Sequence, residues 1–131
     1  MTEYTFDHIH LFTADPEGMA SYFESMLGAE VIRSSPGGQP RIDLKLGGAD
    51  IFILDVSGNA NAVDGASHPH RGLDHFGFSV KDIDKVCDEL KAKGAKFTRG
   101  PETVRPGTRI AFIEGPDGVS IELLERGPHI T

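Results

Sequence analysis

The stretch FDHIHLF at residues 6–12 carries His8 and His10 two positions apart, in a segment whose composition is typical of a β-strand. Side chains at alternate strand positions share a face, so both imidazoles are expected to point to the same side. Imidazole is a common metal ligand and titrates near neutral pH. The first chemistry that the sequence suggests is therefore metal binding or proton transfer on one face of an opening strand.

His8 has a counterpart in the second half of the chain. Asp7 and His8 align with Asp74 and His75, and further along GGADIFILD aligns with DGVSIELLE. The matched features follow the same order in both halves, which indicates an internal duplication. We predict module one at residues 1–60, a connecting loop at 57–72, module two at 71–126 and a C-terminal tail at 127–131.

Both modules have the same order of predicted elements. A strand opens each module, a helix follows, and three further strands complete it. Asp15 followed by Pro16 is a helix start, and Gly28 and Gly94 are placed where a helix end favours positive φ. The sequence therefore predicts an α+β fold in which two tandem βαβββ modules form a curved mixed β-sheet around a metal cleft.

Glu122 stands between Ile121 and Leu123 in the predicted last strand of module two. A carboxylate that faces a protein interior needs a partner, because burying a lone charge is costly. His8 and His75 would supply that partner through a metal ion. Two histidines and one carboxylate form a set that leaves coordination positions open for substrate or oxygen.

Three stretches of the chain are DHIHLFTADPEGMASYFESMLGAE, GLDHFGFSVKDID and FIEGPDGVSIELLE. They resemble the vicinal oxygen chelate superfamily, which includes glyoxalases, bleomycin resistance proteins and extradiol dioxygenases. The resemblance implies metal ligands at His8, His75 and Glu122. Phe52 falls where glyoxalases and epimerases usually carry a fourth ligand, and a phenyl ring cannot coordinate a metal. The three-ligand set favours an oxygenase with Fe(II) or Mn(II), ahead of Zn(II), Ni(II) or Co(II).

Further residues near these ligands are candidates for catalysis and for the pocket wall. His10 is the candidate proton shuttle or hydrogen-bond donor. In a lyase or isomerase, Glu122 or Asp50 would move the proton instead. Phe52 and Phe112 are expected to shape an apolar pocket for the substrate.

The connecting loop and one strand start supply cationic and imidazole groups. Arg71 in the loop and Arg109 at the start of a strand are candidates for holding a substrate carboxylate. His68 and His70 belong to the same loop and are expected to be solvated. A loop of this length without periodicity is often a lid over a site.

Composition excludes several classes of partner. The net charge of −7 makes nucleic acid an unsuitable partner, and no apolar run is long enough for a membrane helix. The single cysteine, Cys87, excludes an internal disulfide and falls in the apolar stripe of a helix. We expect a cytoplasmic homodimer that binds a small molecule.

Three functions remain open at the level of sequence. The first is a divalent-metal enzyme acting on a small substrate with vicinal oxygens, with a preference for the 2-His-1-Glu oxygenase. The second is a glyoxalase-type lyase or epimerase that works with a reduced ligand set. The third is a metal-free protein that binds an antibiotic or another small molecule.

Overall fold

The computed structural model describes residues 1–131 and divides them into two compact units, Met1–Val63 and Asp64–Thr131. Each unit has the order strand, helix, three strands. Unit one contains β1 (His8–Thr13), α1 (Pro16–Leu27), β2 (Glu30–Ser34), β3 (Arg41–Leu46) and β4 (Ala49–Asp55). Unit two contains β5 (Phe76–Ser79), α2 (Ile83–Ala92), β6 (Lys96–Arg105), β7 (Thr108–Glu114) and β8 (Ser120–Arg126).

Each unit forms one four-stranded mixed sheet. The strand orders are β1-β4-β3-β2 and β5-β8-β7-β6, so the two topologies are identical. In both sheets the opening strand runs parallel to the closing strand, and the remaining neighbours are antiparallel. The predicted α+β class and the duplicated βαβββ pattern are confirmed.

The ends of α1 follow the local sequence signals. Asp15 caps the helix, its Oδ1 accepting a hydrogen bond from the Gly18 amide at 3.0 Å, and Pro16 occupies the first turn. Gly28 has φ 72° and its amide donates to the Glu24 carbonyl oxygen at 3.0 Å. Residues that carry a side chain rarely adopt this left-handed backbone conformation, which is why a glycine ends the helix here.

The start of α2 has a second cap that comes from a distant strand. Glu125 on β8 accepts hydrogen bonds from the backbone amides of Asp82 and Ile83 at 3.1 and 3.0 Å. These bonds, led by the one from Ile83 and joined by one from His129, lower the pKa of Glu125 to about 2. The carboxylate thus satisfies amides that the first helical turn cannot pair internally.

Each helix covers one face of the sheet in its own unit. Strand residues alternate between this covered face and an open one, and in β3, β4 and β8 buried side chains alternate with more exposed ones. In β7 the neighbours Ile110 and Ala111 are both buried. Phe23 of α1 is completely buried, which contributes about 1.5–3 kcal/mol to folding. Cys87 of α2 is buried in the same way, as its place in the apolar stripe predicted.

The structure differs from the sequence-based prediction at several boundaries. His8 is the first residue of β1, and His75 directly precedes β5, which begins at Phe76. The tail is attached to the turn before β7, because the Gly107 amide donates to the Ile130 carbonyl oxygen at 2.9 Å. Neither helix has the length and apolar character that crossing a membrane requires.

Candidate metal centre

The open face of the unit-two sheet brings His75 and Glu122 together. His75 directly precedes β5, and Glu122 lies on β8 opposite Gly77 in the parallel register. The Nε2 atom of His75 is 3.0 Å from Oε2 of Glu122. The Glu122 side chain is 19% exposed, so this carboxylate is largely shielded from water while one side of it stays accessible.

Asp74 fixes the orientation of the His75 ring. Nδ1 of His75 donates to Oδ2 of Asp74 at 2.8 Å, which leaves a lone pair on Nε2 when the ring is neutral. That lone pair faces the Glu122 carboxylate, and two acceptors at this separation need a cation between them. A proton satisfies the pair, and so does a metal ion.

The spacing of this pair fits a divalent metal. Neighbouring ligand atoms of an octahedral ion with bonds of about 2.1 Å lie roughly 3.0 Å apart. The distance from His75 Nε2 to Glu122 Oε2 has this value. A histidine whose other nitrogen donates to a carboxylate is also the usual form of a metal-binding imidazole. The donor set and its orientation therefore suit a metal ion.

Two neighbours shape the space around the carboxylate. A Cβ atom on Gly77 would lie 3.3 Å from Cβ and 3.6 Å from Oε2 of Glu122, so the absent side chain leaves room for the carboxylate. Phe112, opposite Glu122 in the β7–β8 register, meets the His75 ring edge-on at 4.8 Å. Phe112 thus forms one wall beside the pair, and its role towards a substrate stays a prediction.

The hydrogen-bond chain continues from Asp74 into the connecting segment. Oδ1 of Asp74 is 2.9 Å from Nδ1 of His68, whose Nε2 donates to the Gly118 carbonyl oxygen at 3.2 Å. The bonds from His75 and then from His68 lower the pKa of Asp74. The bond to Asp74 is the main reason that the pKa of His68 is raised. His68 is exposed, as expected of a loop residue, and it is also hydrogen-bonded at both ring nitrogens.

In unit one, an aspartate orients His8 in the same way as Asp74 orients His75. Nδ1 of His8 donates to Oδ2 of Asp7 at 2.7 Å, so its Nε2 also carries the lone pair when the ring is neutral. The imidazole stacks on Phe52 with 4.4 Å between ring centroids and 27° between planes. His8 is thus oriented by a carboxylate on one side and by an aromatic face on the other.

Phe52 is the central side chain of the open face in unit one. The guanidinium of Arg41 lies 4.8 Å from its ring centroid, and His10 is its register partner on β1. The ring of His10 is 6.1 Å from that of Phe52 and nearly perpendicular to it. A cavity of about 750 Å³ within this unit is lined by His10, Arg41, Asp43 and Phe52, among other residues.

Of three other candidate residues, two are held in ion pairs and the third is not. Asp50 shares the open face of unit one but forms an ion pair with Lys45 at 2.8 Å. Arg109 stands on the helix-covered face of unit two, where it pairs with Asp84 of α2 at 2.8 Å. The structure therefore does not bring Arg109 to the face of Glu122.

The third of these candidates, Arg71, is an exposed residue of the connecting segment. Its carbonyl oxygen accepts a hydrogen bond from Nδ1 of His70 at 2.9 Å. No contact of its guanidinium supports or opposes the predicted binding of a substrate carboxylate, so that role stays a prediction.

Sequence reasoning missed the two aspartates and Arg41. The signal for Asp7 and Asp74 was present, since the Asp-His pair occurs at matched positions in both halves, but it was used only to detect the duplication. Arg41 had no such signal, because its position over Phe52 depends on the pairing of β3 with β4.

Two tandem βαβββ units with this strand order are the fold of the vicinal oxygen chelate proteins. The family pattern described as the Glyoxalase/Bleomycin resistance protein/Dioxygenase superfamily matches residues 5–123. A lactoylglutathione lyase of Haemophilus influenzae is 30% identical over 123 residues, which cover 90% of this chain and 90% of that protein. The chain therefore belongs to this superfamily.

Other relatives match in part of their sequence or in fold. Glyoxalase I of Saccharomyces cerevisiae is 48% identical over 61 residues, which are 47% of this chain and 18% of that protein. A variant of the fosfomycin resistance protein FosX of Listeria monocytogenes, solved with Mn(II) and 1S,2S-dihydroxypropylphosphonic acid, has a TM-score of 0.66 at 20% identity. That match covers 93% of this chain and 90% of FosX. The chain spans less than half the length of the first curated relatives that it matches.

Proposed function

We propose that the protein is a divalent-metal lyase of the glyoxalase type that acts on a small substrate with two neighbouring oxygens. His75 and Glu122 are two of its metal ligands, and the family resemblance adds His8 as the third. The observation that carries the proposal is the 3.0 Å approach of His75 Nε2 to Glu122 Oε2, with Nδ1 of the same ring held by Asp74.

The relatives support a lyase more than an oxygenase. The relative from Haemophilus influenzae, which matches most of this chain, carries the name lactoylglutathione lyase, and the short match in yeast is a glyoxalase I. The Mn(II) in FosX supports a divalent ion as the cofactor. The preference for an oxygenase rested on Phe52 in the fourth ligand position, and none of these relatives is named for that reaction.

When bound, the metal would act as a Lewis acid on the neighbouring oxygens of the substrate. Within the chain, we assign proton transfer to the carboxylate of Glu122, which is largely shielded and has no basic side chain other than His75 in hydrogen-bond contact. Asp50 is less suited to this task because Lys45 already holds its carboxylate.

The remaining side chains would position the substrate. Phe112 beside His75, and Phe52 beside His8, present apolar surfaces that exclude water from the reacting groups. Arg41 lies over Phe52 and pairs through Nε with Asp43 at 3.0 Å, so the rest of its guanidinium could contact a substrate carboxylate. His10 lines the cavity of unit one and could donate a hydrogen bond to a substrate there.

The proposal is tested by turnover of the hemithioacetal of methylglyoxal and a thiol, with protein loaded separately with Mn(II), Fe(II), Zn(II) and Ni(II). Glu122→Gln keeps the size of the side chain and removes its charge, so we expect turnover to fall at least about 100-fold. Glu114→Gln is the matched control, because Glu114 is a carboxylate of β7 engaged with Lys96. Equal turnover in wild type and Glu122→Gln would contradict the proposal.

An oxygenase is the second candidate, and Phe52 is the observation that favours it. Since Phe52 supplies no ligand, the three remaining ligands match the set used by non-haem iron oxygenases. Oxygen consumption by the Fe(II)-loaded protein with catechols distinguishes the two functions. Oxygen uptake without hemithioacetal turnover would replace the lyase by the oxygenase.

A further inference from the structure

The segment before β5 holds a second group of metal-binding side chains. His68, His70 and Asp74 each offer one ligand atom, and these atoms all lie within 4.8 Å of one another. The rings of His68 and His70 are 5.1 Å apart and tilted by 37°. The group is separate from the Nε2 atom of His75 and from Glu122, although Asp74 contacts both His68 and His75.

Hydrogen bonds determine which nitrogen of His68 faces the group. Nε2 of His68 must carry a proton, because it donates to the Gly118 carbonyl oxygen at 3.2 Å. A neutral His68 therefore turns the lone pair of Nδ1 towards Oδ1 of Asp74, only 2.9 Å away. A proton on Nδ1 makes this contact a hydrogen bond, and a metal ion can take the place of that proton.

His70 is prepared to act as a further ligand. Its Nδ1 donates to the Arg71 carbonyl oxygen at 2.9 Å, so its Nε2 carries the free lone pair in the neutral ring. Backbone carbonyl groups thus fix the tautomer of both imidazoles, that of Gly118 for His68 and that of Arg71 for His70. Carboxylates or carbonyl groups commonly perform this service for histidines that bind metals.

We propose that His68, His70 and Asp74 form a second metal site, which binds a borderline transition-metal ion such as Zn(II). Two imidazoles and one carboxylate are ligands that Zn(II) accepts, with a fourth position left to water. Ligand atoms around a tetrahedral zinc lie about 3.4 Å apart. His68 and Asp74 are exposed and His70 is half-buried, and ligand atoms that already lie within 4.8 Å reach that spacing with small rotations.

The second site would be linked to the His75–Glu122 pair through one side chain. Oδ1 of Asp74 serves the second site, whereas Oδ2 accepts the hydrogen bond from Nδ1 of His75. An ion at the second site holds Asp74 in place and thereby holds the orientation of His75. Binding of this ion requires only His68, His70 and Asp74, so it does not depend on the proposed lyase reaction.

The test is Zn(II) stoichiometry and histidine NMR on untagged protein. We expect two equivalents in the wild type and one in His70→Ala, with the ring resonances of His68 and His70 shifting as the second equivalent binds. His129→Ala is the matched control and should keep both equivalents. His129 is also an exposed histidine bonded to a carboxylate, at 2.8 Å from Glu125, but it belongs to no such group.

The variants separate failure of this site from failure of the proposed active site. One equivalent that His70→Ala abolishes would support the second site and contradict the His75–Glu122 centre. A stoichiometry that His70→Ala leaves unchanged would overturn the second site. Loss of an equivalent in His129→Ala as well as in His70→Ala would also overturn it, because the loss would then be unspecific.

Discussion

Replacing Asp74 by asparagine tests whether a carboxylate behind His75 prepares this ring for a metal. Asp74→Asn keeps the shape of the side chain and removes the charge that holds Nδ1–H of His75 at 2.8 Å. Removing such an orienting partner typically weakens metal binding 10- to 100-fold. Asp7→Asn is the matched variant in unit one, where Asp7 holds His8 at 2.7 Å.

The structure predicts unequal effects for the two aspartates. Asp74 is fixed by a second bond to His68 and its side chain is 46% exposed, whereas that of Asp7 is 84% exposed. Solvent screens the more exposed carboxylate and lets it rotate away, so it contributes less. We expect a loss of about 100-fold in Mn(II) affinity for Asp74→Asn and about 10-fold for Asp7→Asn.

The assay is calorimetric titration of metal-free protein with Mn(II), in a His70→Ala background so that the second site does not contribute. Thermal unfolding of each metal-free variant serves as the control for folding. Unchanged Mn(II) affinity in Asp74→Asn would refute the orienting role of this carboxylate. A larger loss in Asp7→Asn than in Asp74→Asn would refute the reasoning from exposure.

Two more predictions concern unit two. In Gly77→Ala, the new Cβ would lie 3.3 Å from both Cβ and the backbone oxygen of Glu122, so Glu122 must shift by a few tenths of an ångström. Calorimetry should show weaker Mn(II) binding, with a small loss of thermal stability. For Glu125, the folded pKa of about 2 lies below the usual value of 4.5 for this carboxyl group. Its stabilising effect is therefore present above about pH 4.5 and is lost as the pH falls towards 2. The free energy of unfolding, measured with urea at neutral pH and at about pH 3, should therefore fall less on acidification in Glu125→Gln than in wild type. An equal fall in both proteins would contradict this prediction.

Much of the fold was predictable because its signals are local. Asp15, Pro16 and Gly28 bound α1 through contacts within a few residues, and the duplication predicted the same order of elements in each half. The cap that Glu125 supplies to α2 was not predictable, since it spans more than forty residues of sequence. The predicted strand starts were also misplaced. A strand begins where its hydrogen bonds to a neighbouring strand begin, and this point does not coincide with a change in composition.

The candidate site was predictable only in part. The hydrogen bonds of Asp7 and Asp74 to the following histidines were not predicted, because adjacent residues of a regular strand point to opposite faces. Each Asp-His pair is in contact because it lies where its strand begins. Arg109 and Phe112 were both assigned to the substrate, although an odd separation on one regular strand puts them on opposite faces. The homodimer and the metal-ligand roles of His8, His75 and Glu122 stay predictions.

The measurement that tests the central claim most directly is the number of Mn(II) ions bound per chain, determined by mass spectrometry of metal after equilibrium dialysis. Wild type is compared with Glu122→Ala and with the control Glu114→Ala. If Glu122 is a metal ligand, we expect Glu122→Ala to bind one ion fewer than wild type and Glu114→Ala to bind the same number. Equal binding in wild type and Glu122→Ala would contradict the metal centre and favour a protein that binds a small molecule without this metal.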